Sequence, residues 1–379
     1  MKRIGFLINP VAGIGGQAGM KGSDDQAGRE DALRRGYQKT AARRAGQCLE
    51  SFEKAIKQAG QNADFTFLAP EGEMGGGLLK ESGLPFQTVG EMRPGETTTR
   101  EDTVRFAETM KEEGADLLVF CGGDGTARDI SQAVGSGFPV LGVPAGVKMY
   151  SACFAVNPWQ AGELLAGFVR GRQMSFAHRE VMDMDESQLS LREVSPSLYG
   201  FLKVLDDGVH LQRAKEMSLG DGEEAETLAE DILSEMREDT LYIIGPGGTA
   251  YRIKEKLHSK GTVRGVDLVK GGQILYRDAD EQTIWRLLGQ AEKAEIIVTC
   301  IGGNGFLFGR GNQQISPRII RAVGKEHIRI AVTRQKLAHL GGKPILVDTG
   351  DRETDEYLKG YYKIRFNGRE SALYRVDRN

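Results

Sequence analysis

Ten residues constrain this chain more than any other stretch: Val119-Phe120-Cys121-Gly122-Gly123-Asp124-Gly125-Thr126-Ala127-Arg128. The apolar run Ala115 to Phe120 leads into them, and Asp129-Ile130-Ser131-Gln132-Ala133-Val134 follows at helical spacing. The glycines therefore stand where a buried strand turns into a helix. There the backbone can approach a phosphate closely, and a helix N-terminus favours negative charge. An acid inside an anion-binding loop looks electrostatically wrong, unless Asp124 works on a magnesium ion or an attacking hydroxyl beside the phosphates. The plainer reading is a strand-to-helix turn that needs glycines for its backbone alone; the Asp-Gly-Thr completion favours phosphate chemistry.

The surrounding pattern is α/β. Strands are predicted at 3–8, 64–69, 86–89, 116–121 and 138–143, with helices at about 40–59, 99–113 and 126–135 between them. Thr99, with Asp102 three residues on, predicts a capped helix start, and Gly114 its end. Alternating units of this kind give a parallel sheet covered by helices, with ligands at the carboxyl ends of its strands. The glycine-bearing loops Asn9 to Gly16, Gly122 to Thr126 and Pro144 to Lys148 then share one edge. Residues 21–46 carry a basic run that is a solvated helix face or a phosphate contact.

Asn157-Pro158 opens a helix through Val169. A small β region follows, with alternating strands at 176–184 and 198–206. A charged amphipathic helix at 223–238 leads to a second strand, Gly-loop and helix at Leu241 to His258, whose loop contains Gly247, Gly248 and Thr249. That loop either binds another phosphate or packs a helix tightly on a strand. A third such unit begins at Glu295 and reaches Gly302-Gly303-Asn304-Gly305. Asn304, Arg310 and Asn312 carry amide and guanidinium groups suited to ribose hydroxyls, an amide-bearing ring or a phosphate. Strands at Ile328 to Val332 and Pro344 to Asp348 and a hairpin on Asn367-Gly368 close the chain.

Gly122-Gly123-Asp124-Gly125-Thr126 resembles the signature loop of the ATP-NAD kinases, shared more loosely with diacylglycerol-type lipid kinases and 6-phosphofructokinases. Asn9-Pro10-Val11-Ala12-Gly13 after the first strand resembles the nucleotide-side loop of that superfamily. With Gly142-Val143-Pro144-Ala145-Gly146-Val147-Lys148, Ile301 to Phe306 and Gly309 to Pro317, the whole resembles a divergent branch of ATP- or polyphosphate-dependent NAD kinase-like proteins, some linked with acetoin catabolism. The resemblance implies a kinase-type parallel-sheet domain at 1–155 and a mixed α/β domain at 156–379. It implies Asp124 as the catalytic residue, and Asn9, Pro10, Gly13, Gly122, Gly123, Gly125, Thr126 and Gly146 on the nucleotide. Gly247, Gly248 and Thr249 are further phosphate candidates. Asn304, Arg310 and Asn312 are expected on the acceptor, in a segment folded back over the Asp124 crevice. ATP or polyphosphate would be the donor, Mg²⁺ the cofactor, and the 2′-hydroxyl of NAD the acceptor. One departure stands out: the Asn-Glu pair that holds a ribose in such kinases is absent, since no Asn-Glu dipeptide occurs in the sequence. A kinase for another small hydroxyl compound or lipid, or a nucleotide sensor without turnover, are the alternatives.

The 379 residues exceed one typical core and predict two domains. Fifty Lys and Arg against 53 Asp and Glu give a net charge of −3, with no general attraction to nucleic acid. Cys48, Cys121, Cys153 and Cys300 are scattered, without CxxC or a histidine at ligand spacing, and read as buried thiols of a reducing cytosol. No metal ligand set is assigned. His178, His210, His258, His327 and His339 lie far apart and read as structural or surface residues. Neither G-x-S-x-G nor a Walker-type loop occurs. No run is long enough to span a bilayer. A cytoplasmic homo-oligomer, without membrane or nucleic-acid partners, is expected.

Overall fold

The computed structural model describes residues 1–14, 16, 18, 26–37, 39–59, 64–91, 98–145, 149–183, 197–207, 222–257, 261–300, 305–366 and 370–378. The chain divides into two compact units, Met1–Ile14 with Gln38–Ala214, and Gly15–Tyr37 with Lys215–Asn379. The first part of the chain runs β1 (Lys2–Ile8), α1 (Gln26–Arg34), α2 (Ala41–Gln58), β2 (Phe65–Ala69), α3 (Gly76–Glu81), β3 (Phe86–Thr88), α4 (Arg100–Glu112), β4 (Leu117–Gly122), α5 (Asp124–Val134), β5 (Pro139–Pro144), α6 (Pro158–Val169), β6 (Ser175–Asp183) and β7 (Ser197–Asp206).

In the first unit seven strands form one sheet in the order β3-β2-β1-β4-β5-β7-β6. All neighbours are parallel except the β6–β7 pair. Every residue of β4 is buried, as a central parallel strand covered on both faces requires. Helix α2 buries Ala41, Ala45, Cys48, Leu49 and Phe52, a stripe at the i, i+3, i+4 spacing of an amphipathic helix. Phe52 meets Phe65 edge to face at 5.1 Å and Phe67 at 5.8 Å, tying α2 to β2. The Thr99–Asp102 capping box starts α4 as predicted, and Gly114 follows its end at φ +78°. Asn157 caps α6 by accepting from the Gln160 amide at 2.7 Å, with Pro158 in the first turn.

The predicted boundary at 155 falls too early. Helix α6 lies against α2, and β7 adds in parallel to β5 through Pro139–Lys203 and Val140–Val204, so both belong to the first core. Residues 15–37 count with the second unit, which no feature of the sequence marks. There Arg35 pairs with Asp280, and the Gln282 side chain donates to the Arg35 carbonyl at 2.5 Å. One arginine of the basic run is thus an internal clamp.

The second unit continues α7 (Gly222–Glu235), β8 (Thr240–Ile244), α8 (Gly248–Glu255), β9 (Asp267–Lys270), β10 (Gln273–Tyr276), α9 (Glu281–Leu288), β11 (Lys293–Val298), β12 (Phe306–Phe308), α10 (Pro317–Val323), β13 (Ile328–Ile330), α11 (Arg334–His339), β14 (Ile345–Val347), α12 (Arg352–Leu358), β15 (Gly360–Arg365) and β16 (Ser371–Arg378). One sheet has the order β10-β9-β8-β11-β13, with β8, β11 and β13 mutually parallel. A second has the order β12-β14-β16-β15. The expected β15–β16 hairpin forms, with Arg365 paired to Ser371, one residue out of the register of a two-residue turn on Asn367-Gly368, which itself lies outside the described residues. The mixed α/β character expected of the second half is what forms.

Candidate active site

Strands β1 and β4 are neighbours, yet β1 leads to β2 on one side and β4 to β5 on the other. Their following loops diverge, and the carboxyl edge opens into a crevice at this reversal. The described parts of the three predicted loops follow adjacent strands, and hydrogen bonds stitch them together. The Asn9 amide donates to the Cys121 carbonyl at 3.0 Å, and Asn9 Nδ2 donates to Thr126 Oγ1 at 2.9 Å. The Ala145 amide donates to the Gly122 carbonyl at 2.9 Å. Two glycines are required by these close approaches. A Cβ on Gly122 would run into the Thr126 side chain. Gly13 sits at φ +82°, where a Cβ would strike Thr40 Oγ1 and the Ala145 carbonyl. Pro10 follows Asn9 in a tight turn closed by Ala12 N to Asn9 O at 3.1 Å. Gly146 lies outside the described residues.

Gly123 is the N-cap of α5 and no side chain caps that helix, so its first-turn amides, Gly125 and Thr126 among them, meet the crevice edge as donors. Asp124 opens the helix. The residue is 7% exposed, and its carboxylate accepts the Tyr150 amide at 2.7 Å through Oδ2 and the Ser151 amide at 2.9 Å through Oδ1. Ser151 is held in turn by the backbone of Met182, donating to its carbonyl at 2.9 Å and accepting its amide at 3.0 Å. Asp124 therefore anchors the segment after β5 to the head of α5, a contact the sequence analysis missed. A carboxylate accepts about four hydrogen bonds, so anchoring and a role toward a cation or hydroxyl are compatible. The next acid, Asp129, is committed elsewhere: Arg100 Nε approaches it at 2.5 Å and Arg128 Nε at 3.6 Å.

Among the described residues no group of three or more His, Cys, Asp or Glu is placed to hold a metal. A single carboxylate beside helix-terminal amides suits Mg²⁺ carried in by a nucleotide's phosphates, since that ion keeps waters and uses few protein ligands. Asp124 is the residue that would hold it. The four thiols are unsuited to chemistry. All are free and buried, and burial holds each well above the usual thiol range, Cys121 and Cys300 at about 12. An open pocket of about 440 Å³ on the first unit is lined by Arg100, Arg128, Ser131, Gln132 and Tyr199 and takes in none of the loop residues.

In the second unit Gly247, at φ +118°, is the N-cap of α8, and Gly248 and Thr249 form its first turn. Lys336 Nζ donates to Thr249 Oγ1 at 2.7 Å. Asn312 is fully buried and closes a turn, accepting the Gly309 amide at 3.0 Å and donating to the Leu307 carbonyl at 2.8 Å. It shapes the loop. Arg310 lies over Phe306 at 5.0 Å and 3.5 Å from Asp348. Ser316 precedes Pro317 at the start of α10, but its hydroxyl donates to Glu281 Oε1 at 2.6 Å and does not cap the helix. Asn304, His210 and His258 lie outside the described residues.

The profile of the ATP-NAD kinase N-terminal domain matches residues 4–173, and that of the ATP-NAD kinase C-terminal domain matches residues 237–376. The chain belongs to the ATP-NAD kinase family. No curated protein and no solved structure matches it. Family membership makes the chain a phosphotransferase acting on an NAD-like substrate, and the family generally uses ATP with a divalent metal. The first match spans the stitched crevice with Asp124; the second spans the Gly247 and Arg310 loops. Among the described residues no helix is long and apolar enough to cross a membrane.

Proposed function

We propose that the protein transfers a phosphoryl group from ATP, or from polyphosphate, to the 2′-hydroxyl of the adenosine ribose of NAD, giving NADP. One observation carries this reading: a buried carboxylate, Asp124, heads an uncapped helix in a crevice whose three loops are locked together. The amides of Gly122, Gly123, Gly125 and Thr126 hold phosphate oxygens of the donor. Asn9 fixes Thr126 and with it the spacing of the two loops. Asp124 orients the acceptor hydroxyl or a Mg²⁺ ion, which when bound neutralises charge developing on the transferred group. Acceptor contacts are assigned to the loop bearing Arg310.

The direct test incubates purified protein with NAD, Mg²⁺ and either ATP or polyphosphate, and couples any product to an NADP-specific dehydrogenase. NADP above a boiled control is expected with at least one donor. None with either rejects NAD as the acceptor.

A further inference from the structure

The second unit has its own strand, Gly-loop and helix at the carboxyl edge of a parallel sheet, and its electrostatics differ from those of the Asp124 crevice. β8, β11 and β13 are adjacent and parallel, so the segments after them share one edge. After β8 comes the Gly247 turn. Its amide is held by the Val263 carbonyl at 2.9 Å, and no side chain caps α8 behind it. After β11 comes Thr299, and after β13 come Thr333 and α11, which carries Lys336.

Three features point to a ligand. α8 has no acid in its first turn, where α5 has Asp124, so this helix start has no built-in anion. The Lys336 ammonium is fixed on the turn by its 2.7 Å bond to Thr249 Oγ1, while its own amide is held by Thr333 Oγ1 at 3.3 Å. Thr299 is 1% exposed, and its Oγ1 has no hydrogen-bond partner. Its methyl group lies against the same turn: a Cβ on Gly247 would stand 2.6 Å from Thr299 Cγ2. A buried hydroxyl without a partner is unfavourable unless something reaches it. Uncapped amides, a positioned ammonium and an unpaired hydroxyl together are a donor set for an oxyanion.

We infer that the Gly247–Thr249 turn, Lys336 and Thr299 form a second phosphate-binding site, one that holds the phosphoryl group of a nucleotide without a metal ion and without catalysis. The missing acid separates it from the Asp124 crevice: nothing in this donor set recruits a cation or accepts a proton from a hydroxyl. The inference does not rest on the acceptor being NAD, and its test needs no turnover.

The experiment is calorimetric titration of the full chain with inorganic pyrophosphate in EDTA. Metal-free binding is expected, with Lys336→Met weakening it about ten-fold or more and Lys336→Arg retaining most of it. Thr299→Val, which keeps the shape and removes the hydroxyl, should weaken it several-fold and carries the test if Lys336→Met fails to fold. Asp124→Asn should leave the Lys336-dependent event in place. Repeating the titration with AMP and with inorganic phosphate identifies the source. Tighter Lys336-dependent binding of AMP supports a nucleotide, while equal or weaker binding overturns that assignment. No metal-free binding, or binding that Lys336→Met and Thr299→Val leave unchanged, overturns the site itself.

Discussion

Asp124 joins two roles in one side chain, and this shapes how it can be tested. Asp124→Asn is nearly isosteric, but an amide has one acceptor atom where the carboxylate has two. Its NH₂ would face either the Tyr150 or the Ser151 amide, donor against donor, in place of bonds now at 2.7 and 2.9 Å. The substitution should therefore lower stability by about 1–3 kcal/mol. It should also lower kcat by roughly 10²–10⁴ if the carboxylate acts on the hydroxyl or cation. A folded variant with undiminished kcat at saturating ATP, NAD and Mg²⁺ would remove Asp124 from the chemistry and leave it an anchor. At this scale the sequence showed the acid and its glycines but not the anchor. The bonded amides lie 26 and 27 residues downstream, and only the β4–β5 register brings them back. Lys336 was invisible for a similar reason. It sits in no motif, and its importance comes from the β13–β11–β8 adjacency.

The elements themselves were largely legible. Every strand and helix predicted for the first 170 residues forms within about two residues of its expected limits, because each combines a clear period with a start or stop signal. Short pieces of the second unit were missed, among them β12 and α11, since three to six residues carry too little period to read. Packing between elements was not readable either, and Gly162 shows why. Inside a helical pattern a glycine only lowers propensity. In the fold it is where α6 touches α2: a Cβ there would run into the Cys48 carbonyl and come within 2.8 Å of the Phe52 amide nitrogen. Those are backbone atoms that cannot rotate away. Gly162→Ala should thus destabilise the first unit by about 1–3 kcal/mol despite alanine's better helix propensity. Denaturant unfolding would check it, and a variant as stable as the parent would mean that α6 can slide on α2 without loss.

At the scale of the molecule two compact units form, but the boundary expected at 155 does not fall between them, because it follows the extent of the resemblance while β7 and β6 still extend the first core. A fragment ending at 150 would lose α6 and both strands and expose the β5 edge, so its failure to act would report on folding. The division at 214 also makes the two units respond differently to alkali. Cys48, Cys121 and Cys153 lie in the first unit, and burial raises all three thiols, Cys121 to about 12. They stay protonated in the native state while the unfolded chain loses those protons above about 9, so the first unit loses stability as pH rises through 9 and beyond. Each fully coupled thiol contributes about 1.4 kcal/mol per pH unit. The second unit has one such thiol, Cys300, three tyrosines that burial also raises, Tyr37, Tyr362 and Tyr374, whose effect begins only near pH 10, and one group of opposite sign. Lys254 is wholly buried, 3.1 Å from Asp267, and burial outweighs that carboxylate and lowers its ammonium to about 8. Between about 8 and 10.5 the unfolded chain binds the proton that native Lys254 releases, so stability there rises with pH. In the second unit the two effects largely cancel; in the first, three thiols act together. Calorimetric melts between pH 8 and 10 should show the first unit's transition falling steeply while the second unit's moves little. Two transitions that descend in parallel would mean that the thiols of the first unit are less deeply committed to their neutral form than their burial implies.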